Sequence, residues 1–188
     1  VNFTAYKETA WVEGTVLTED NKHVGGALFH AYRLNTSDPE LRNLQNGHFT
    51  NSSGQVTVGL EAGDWRAGLC MNCHDHPVVV DGVEKEMVPP PDTEILNLTD
   101  GEHRDVTLRA YYADGAIEGR VFYADGVTPV PEGVQVSAWT DNALNGTNQI
   151  SIGHVYTTTN TDENGYFRLP LLGGTWTVQA WYEGKSSN

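Results

Sequence analysis

Hydrophobic and polar residues alternate over short runs of this chain. Segment 134–138 is Val-Gln-Val-Ser-Ala and segment 176–180 is Trp-Thr-Val-Gln-Ala. A period of two predicts strands that pack one face on a core and expose the other to water. Residues typical of tight turns, such as Ala-Asp-Gly at 124–126 and Asp-Glu-Asn-Gly at 162–165, separate the runs. Many short strands at this spacing predict an all-β fold of the sandwich type.

The alternating segments occur twice along the chain. Three ordered blocks align without internal gaps: 1–16 with 106–121, 26–32 with 133–139, and 54–70 with 165–181. Self-similarity of this kind indicates a repeated structural unit. We therefore predict an N-terminal strand over 1–8, a first sandwich domain over 9–114 and a second over 115–188.

The second copy is similar to a known family. Its segments AIEGRVFYADGVTPVPEGVQVSAW and TTTNTDENGYFRLPLLGGTWTVQAW resemble the carboxypeptidase regulatory-like domain, a transthyretin-like sandwich of seven strands. The first copy is similar more weakly, with Asn-Ser-Ser-Gly at 51–54 in place of the family's D-x-x-G turn. The resemblance implies an accessory or surface module without catalytic residues. Neither H-x-x-E nor H-E-x-x-H occurs, and no nucleophile–base arrangement is legible, so we expect no enzyme.

The resemblance also implies a closing strand at the end of each unit. Segment 105–111 supplies it for the first domain, whereas the second domain has no equivalent, and segment 1–6 aligns with a closing strand that no domain precedes. One explanation is that Val1, Phe3, Ala5 and Tyr6 form an assembly strand that completes the second domain of the next subunit, which generates a head-to-tail homopolymer. The alternatives are excision from a longer tandem array and closure of the strand on its own domain.

Composition narrows the function classes. The net charge of −14 excludes a general nucleic-acid binder, because phosphate recognition needs clusters of Lys and Arg. No apolar stretch approaches the roughly 20 residues of a membrane span, so we expect no transmembrane segment. N-x-[S/T] sequons predict a secreted or cell-surface glycoprotein and occur at Asn2, Asn35, Asn51, Asn97 and Asn145.

Both cysteines lie in the motif Cys70-Met71-Asn72-Cys73-His74. C-x-x-C-H is the attachment pattern of c-type haem, in which two thiols bond the porphyrin and the adjacent imidazole binds iron. Cys70, Cys73 and His74 are therefore candidate haem ligands. A small metal site that uses these residues together with His76, or a local disulfide or free thiols, are the alternatives.

Three function hypotheses remain at this point. The first is a structural subunit of an extracellular filament or surface array, built by donor-strand complementation and with room for one haem per chain. The second is a c-type cytochrome-like electron-transfer protein on a sandwich scaffold, which requires a redox partner. The third is an accessory binding module of a larger secreted protein.

Overall fold

The computed structural model describes residues 7–34, 45–71, 76–91, 95–145 and 150–182. Every regular element in these ranges is a strand, and none of them contains a helix long and apolar enough to cross a membrane. The first eleven strands are β1 (Ala10–Thr18), β2 (Val24–Gly25), β3 (Leu28–Arg33), β4 (Gln45–Phe49), β5 (Gln55–Leu60), β6 (Gly63–Cys70), β7 (Val79–Val80), β8 (Val83–Glu84), β9 (Met87–Val88), β10 (Ile95–Leu98) and β11 (His103–Tyr112). The other five are β12 (Gly115–Arg120), β13 (Gln135–Asn145), β14 (Ile150–Asn160), β15 (Tyr166–Leu171) and β16 (Thr177–Trp181).

The first eleven strands build a complete sandwich. Its two sheets have the strand orders β5-β1-β11-β9 and β10-β6-β3-β4, and a short ribbon β2-β7-β8 lies beside them. Strand β1 alternates buried and partly buried residues along its whole length, as the period of two predicts. Val12, Phe29 and Trp65 are among the side chains that form its core, and none of the three is more than 1% exposed.

The last five strands form a smaller sandwich. Its sheets have the orders β12-β15 and β14-β13-β16. The buried residues of its core include Val136, Ala138, Phe167, Leu169 and Leu171, with Ile117, Val121 and Trp176 packed against them. The all-β fold with two tandem sandwich domains is thus confirmed.

The two sandwiches contain an equivalent turn with the same hydrogen bonds. Asn51 Oδ1 accepts hydrogen bonds from the backbone N–H groups two and four residues ahead at 2.9 and 3.0 Å, and Asp162 Oδ1 does the same at 2.8 and 2.9 Å. Gly54 and Gly165 end these turns with φ of +68° and +70°. An added Cβ would lie 2.6 Å from the Val16 carbonyl oxygen at Gly54 and 2.7 Å from the Val121 carbonyl oxygen at Gly165, so only glycine fits. The asparagine in the first copy therefore makes the same turn as the aspartate in the second.

One buried tryptophan also recurs. Trp65 Nε1 donates to the Glu61 carbonyl oxygen at 2.8 Å, and Trp176 Nε1 donates to the Leu172 carbonyl oxygen at 3.0 Å. These four residues are equivalent in the alignment of the two copies. The gapless blocks read from the sequence therefore describe one repeated structural unit.

The two sandwiches pack against each other. Val88 of the first sandwich is buried with Ala143, Val155 and Leu172 of the second, and we call these four residues the interdomain cluster. Arg168 reinforces this contact across the domains, because its Nε and Nη2 donate to the two carboxylate oxygens of Glu86 at 2.6 and 2.9 Å. The apolar cluster and this paired ionic contact hold the flanking sheet faces close together.

Candidate functional site

Strand β12 has an open edge, whereas its counterpart β1 does not. β1 pairs with β5 on one side and in parallel with β11 on the other, through eight residue pairs from Trp11–His103 to Thr18–Ala110. β12 pairs with β15, the counterpart of β5, and with no other strand in the described part of the chain. The backbone N–H and C=O groups on the free side of β12 are thus a template for another strand.

A second edge of the same sandwich is also open. β6 lies between β10 and β3, but its counterpart β16 pairs only with β13 within the described residues. Within the described residues the second sandwich has no counterpart of β11, the closing strand that the sequence predicts to be missing, and none of β10. Because β11 and β10 belong to opposite sheets, an edge of each sheet is unpaired on this side of the sandwich in the described part of the chain. We call the space beside β12 and β16 the open groove.

The open groove exposes apolar side chains that the first sandwich buries. Val12 is fully buried in β1, while its counterpart Ile117 in β12 is only partly buried. Every residue of β16 is exposed, including Val178 at 38%. The same positions in β6 are mostly buried. The apolar face of the second sandwich is therefore incompletely covered.

Four aromatic residues surround one end of the open groove, and we call them the aromatic rim. Phe122 is 42% exposed, Tyr123 37%, Trp181 58% and Tyr182 47%. The two tyrosine hydroxyls are 3.0 Å apart and their rings meet edge to face with centroids 5.4 Å apart. This hydrogen bond raises the pKa of Tyr123. Large exposed rings at a sheet edge are typical of a surface that binds another chain.

The predicted assembly residues Val1, Phe3, Ala5 and Tyr6 lie outside the described residues. Their counterparts in the alignment are on β11, the strand that fills the equivalent position in the first sandwich. There, Val106, Leu108 and Ala110 face the core with 2%, 7% and 0% exposure. The counterpart of Tyr6 is Tyr111, which packs against the interdomain cluster. The segment 1–6 thus has the side-chain pattern that the open groove lacks.

The cysteine motif starts at the end of β6. Cys70 is disulfide-bonded, whereas Cys73 and His74 lie outside the described residues. A sulfur in a disulfide cannot also form a thioether to haem, so the two states of Cys70 exclude each other. Haem attachment stays a prediction; a Soret band together with the intact mass distinguishes it from the disulfide.

The alternative metal site is not assembled by the described residues. His76 lies with its ring centroid 4.0 Å from that of Phe49. Within the ranges that the structure covers, no three His, Cys, Asp or Glu side chains are grouped as metal ligands would be. A metal site through His74 and His76 stays a prediction, because His74 is outside those ranges.

The sequons differ in what the structure describes of them. Asn51 and Asn97 are exposed, as a glycan acceptor must be. Asn2 and Asn35 lie outside the described residues, and Asn145 ends β13 with its side chain outside them. Glycosylation therefore stays a prediction at each position.

Comparison with known proteins finds distant structural likenesses. The Bacillus anthracis TIE protein is 18% identical with a TM-score of 0.39, over 93% of this chain and 28% of that one. A streptococcal ancillary pilin is 13% identical with a TM-score of 0.40, over 96% of this chain and 56% of that one. GBS52, a minor pilin of Streptococcus agalactiae, is 16% identical with a TM-score of 0.36, over 94% of this chain and 85% of that one.

These likenesses do not extend to function. The chain spans about a quarter to about half of the TIE protein and the ancillary pilin. No family model and no curated protein matches the chain. At such low identities and TM-scores, the resemblance says nothing about what this chain binds or assembles with.

The sequence gives little warning of the aromatic rim. Trp181 aligns with Cys70 and Tyr123 aligns with Thr18, so the second copy has large rings where the first has small residues. Such a difference between copies is the signal that points to the rim. This signal is easy to miss, because an aromatic residue in a strand is ordinarily assigned to the core.

Proposed function

We propose that this chain is a structural subunit of an extracellular filament or cell-surface array. The observation that carries the proposal is the unpaired edge of β12, beside an apolar face that its counterpart in the first sandwich buries. An exposed apolar sheet edge favours pairing with a further strand, because pairing satisfies the backbone and removes apolar surface from water. The occupant that we propose is segment 1–6 of another copy.

The first sandwich provides the register for this contact. In the β1–β11 pair, Gly14 lies opposite Val106, Val16 opposite Leu108 and Thr18 opposite Ala110. By equivalence of the copies, Val1 would lie opposite Gly119, Phe3 opposite Val121 and Ala5 opposite Tyr123. Val1, Phe3 and Ala5 would then fill the open groove, and Thr4 would point to solvent as its counterpart Arg109 does.

This contact is head-to-tail. A donor surface at one end of the chain and an acceptor groove in the other domain need not close into a ring, so they favour an open polymer. Exposed sequons and a net charge of −14 fit a solvated outer surface on such a polymer. The proposal places the protein outside the cell, with other copies of itself as its main partner.

A pair of charge substitutions on neighbouring residues tests the proposal. Phe3→Asp places a carboxylate in the groove, whereas Thr4→Asp adds the same charge on the solvent side of the same strand. We expect the full chain and Thr4→Asp to form polymers in sedimentation velocity and negative-stain micrographs, and Phe3→Asp to remain monomeric. A synthetic peptide of segment 1–6 should bind the Phe3→Asp chain with one-to-one stoichiometry, and a scrambled peptide should not.

Two results would overturn the proposal. One is an unchanged chain that stays monomeric at high concentration, which would mean that the strand closes on its own domain or that the groove is not an acceptor. The other is a polymer that persists in Phe3→Asp, which would mean that another surface drives assembly.

A further inference from the structure

A cleft lies between the two sandwiches, apart from the open groove. Its volume is about 810 Å³, which is in the range of small-molecule sites. One wall is the outer face of the β3 and β4 sheet, and the other is the outer face of β13 and β14. None of the described residues that line it is Asp, Glu, Lys or Arg, although the whole chain has 25 acidic and 11 basic residues. A lining whose described residues carry no charge favours an uncharged ligand.

The wall formed by β3 and β4 presents aromatic rings. His30 and Tyr32 project from the same face of β3 with their ring centroids 6.2 Å apart and nearly parallel. Gly47 and Gly68 lie opposite His30 on the two neighbouring strands, so no side chain on those strands covers its ring from the sides. At Gly47 an added Cβ would lie 2.6 Å from the Phe29 carbonyl oxygen, so that position must stay glycine. The two glycines thereby leave a groove along the rings that no side chain of the neighbouring strands fills.

The opposite wall supplies a ring and polar groups. Tyr156 lines the cleft with 48% of its surface exposed. Its hydroxyl is 2.8 Å from Ser137 Oγ, and this hydrogen bond helps to fix the orientation of the ring. Gln135 lies on this wall and Gln45 on the wall formed by β3 and β4. Neither side-chain amide forms a hydrogen bond to another residue in the described part of the chain. Burial lowers the pKa of His30, which favours the neutral imidazole with its one donor and one acceptor.

We propose that this cleft binds a neutral oligosaccharide. The apolar C–H faces of a sugar pack on aromatic rings, and its hydroxyls both donate and accept hydrogen bonds, as side-chain amides and a neutral imidazole also do. A proline-rich peptide would share the ring contacts, but each proline lacks a backbone N–H donor, so such a peptide matches the acceptors of the cleft less well than a sugar does. None of the residues that line the cleft belongs to β12 or β16, the strands that bound the open groove.

The test uses the full chain and a panel of neutral oligosaccharides. Screening on a printed glycan array selects a ligand, and titration calorimetry then measures its affinity. We expect Tyr156→Ala to weaken binding at least tenfold, and Gln135→Ala to weaken it severalfold. Val83→Ala is the control, because Val83 is 54% exposed in the ribbon β2-β7-β8 and does not line the cleft. It should bind the sugar as the unchanged chain does.

The alternative outcomes are distinct. Absence of binding to any neutral glycan on the array overturns the proposal, as does equal or better binding of sialylated or sulfated glycans. Binding that survives both Tyr156→Ala and Gln135→Ala places the sugar elsewhere and also overturns it. Tight binding of a proline-rich decapeptide in place of a sugar would assign the cleft to peptide recognition.

Discussion

Removing the repeated tryptophan should affect the two domains unequally. Trp65 is 1% exposed, packs in the core of the first sandwich and has the Arg33 guanidinium 5.6 Å from its ring centroid. Trp176 makes the equivalent hydrogen bond but is only partly buried, because β16 has no strand on its outer side within the described residues. Trp65 and Trp176 therefore allow the same side chain to be compared in the first sandwich, where neighbouring strands cover it, and in the second, where they do not.

The structure indicates the size of the difference. Trp65→Ala removes a fully buried ring and leaves a carbonyl without its donor, so we expect a cost of about 4–5 kcal/mol. Trp176→Ala removes a ring that already touches water, so its cost should be nearer 2–3 kcal/mol by the same reasoning about buried area. The first value is a large share of the roughly 5–15 kcal/mol that stabilises a typical domain.

The assay must resolve the domains and prevent assembly. Both substitutions are made in the Phe3→Asp chain, and hydrogen exchange followed by mass spectrometry gives opening free energies for peptides of each sandwich. Trp65→Phe and Trp176→Phe are controls that keep an aromatic ring at each position and remove the N–H donor together with part of the indole. Equal costs for the two alanine variants would refute the reasoning, because the second sandwich would then be as closed as the first.

Two further predictions concern single positions. Gly165→Ala and Gly126→Ala share a φ of about +70°, but only at Gly165 would the Cβ meet a carbonyl oxygen, at 2.7 Å. Both variants should lose about 1–2 kcal/mol through left-handed strain, and Gly165→Ala at least about 1 kcal/mol more in thermal unfolding. The pKa of Glu86 is lowered mainly by the hydrogen bonds from Arg168, so this ion pair stabilises the fold above the ordinary glutamate pKa and is lost as pH falls through the lowered pKa. Glu86→Gln should therefore cost about 0.2–1 kcal/mol at pH 7 and nothing near pH 2, with Glu84→Gln as the control for removing a nearby charge.

Local patterns predicted the fold well for a physical reason. The alternation, the turn glycines and the two gapless copies can each be recognised within a short segment. This works because the local structure of such a segment requires particular residue types. Gly54 and Gly165 illustrate this, since the same turn needs the same residue in both sandwiches. The open edge of β12 was partly predictable, because the alignment left segment 1–6 without a partner. The second open edge was not, because β10 is a short strand of four residues that lies outside the three aligned blocks.

The cleft was not predictable, because its two walls come from faces that the period of two assigns simply to solvent. Tyr32 and Tyr156 are far apart in sequence, and their strands are brought together by the interdomain cluster and the Arg168–Glu86 ion pair.

The packing between the domains also bears on assembly. Tyr111 leads from the first sandwich into the second and packs against the interdomain cluster, and its counterpart Tyr6 would stand at the equivalent point between subunits. In the alignment, residues 112–114, which lead from the end of β11 into β12, correspond to residues 7–9, which lead from segment 1–6 into β1. A strand donated in the register of β11 would therefore reproduce this connection at every junction, and the angle between successive domains would be set by the connection as well as by the groove.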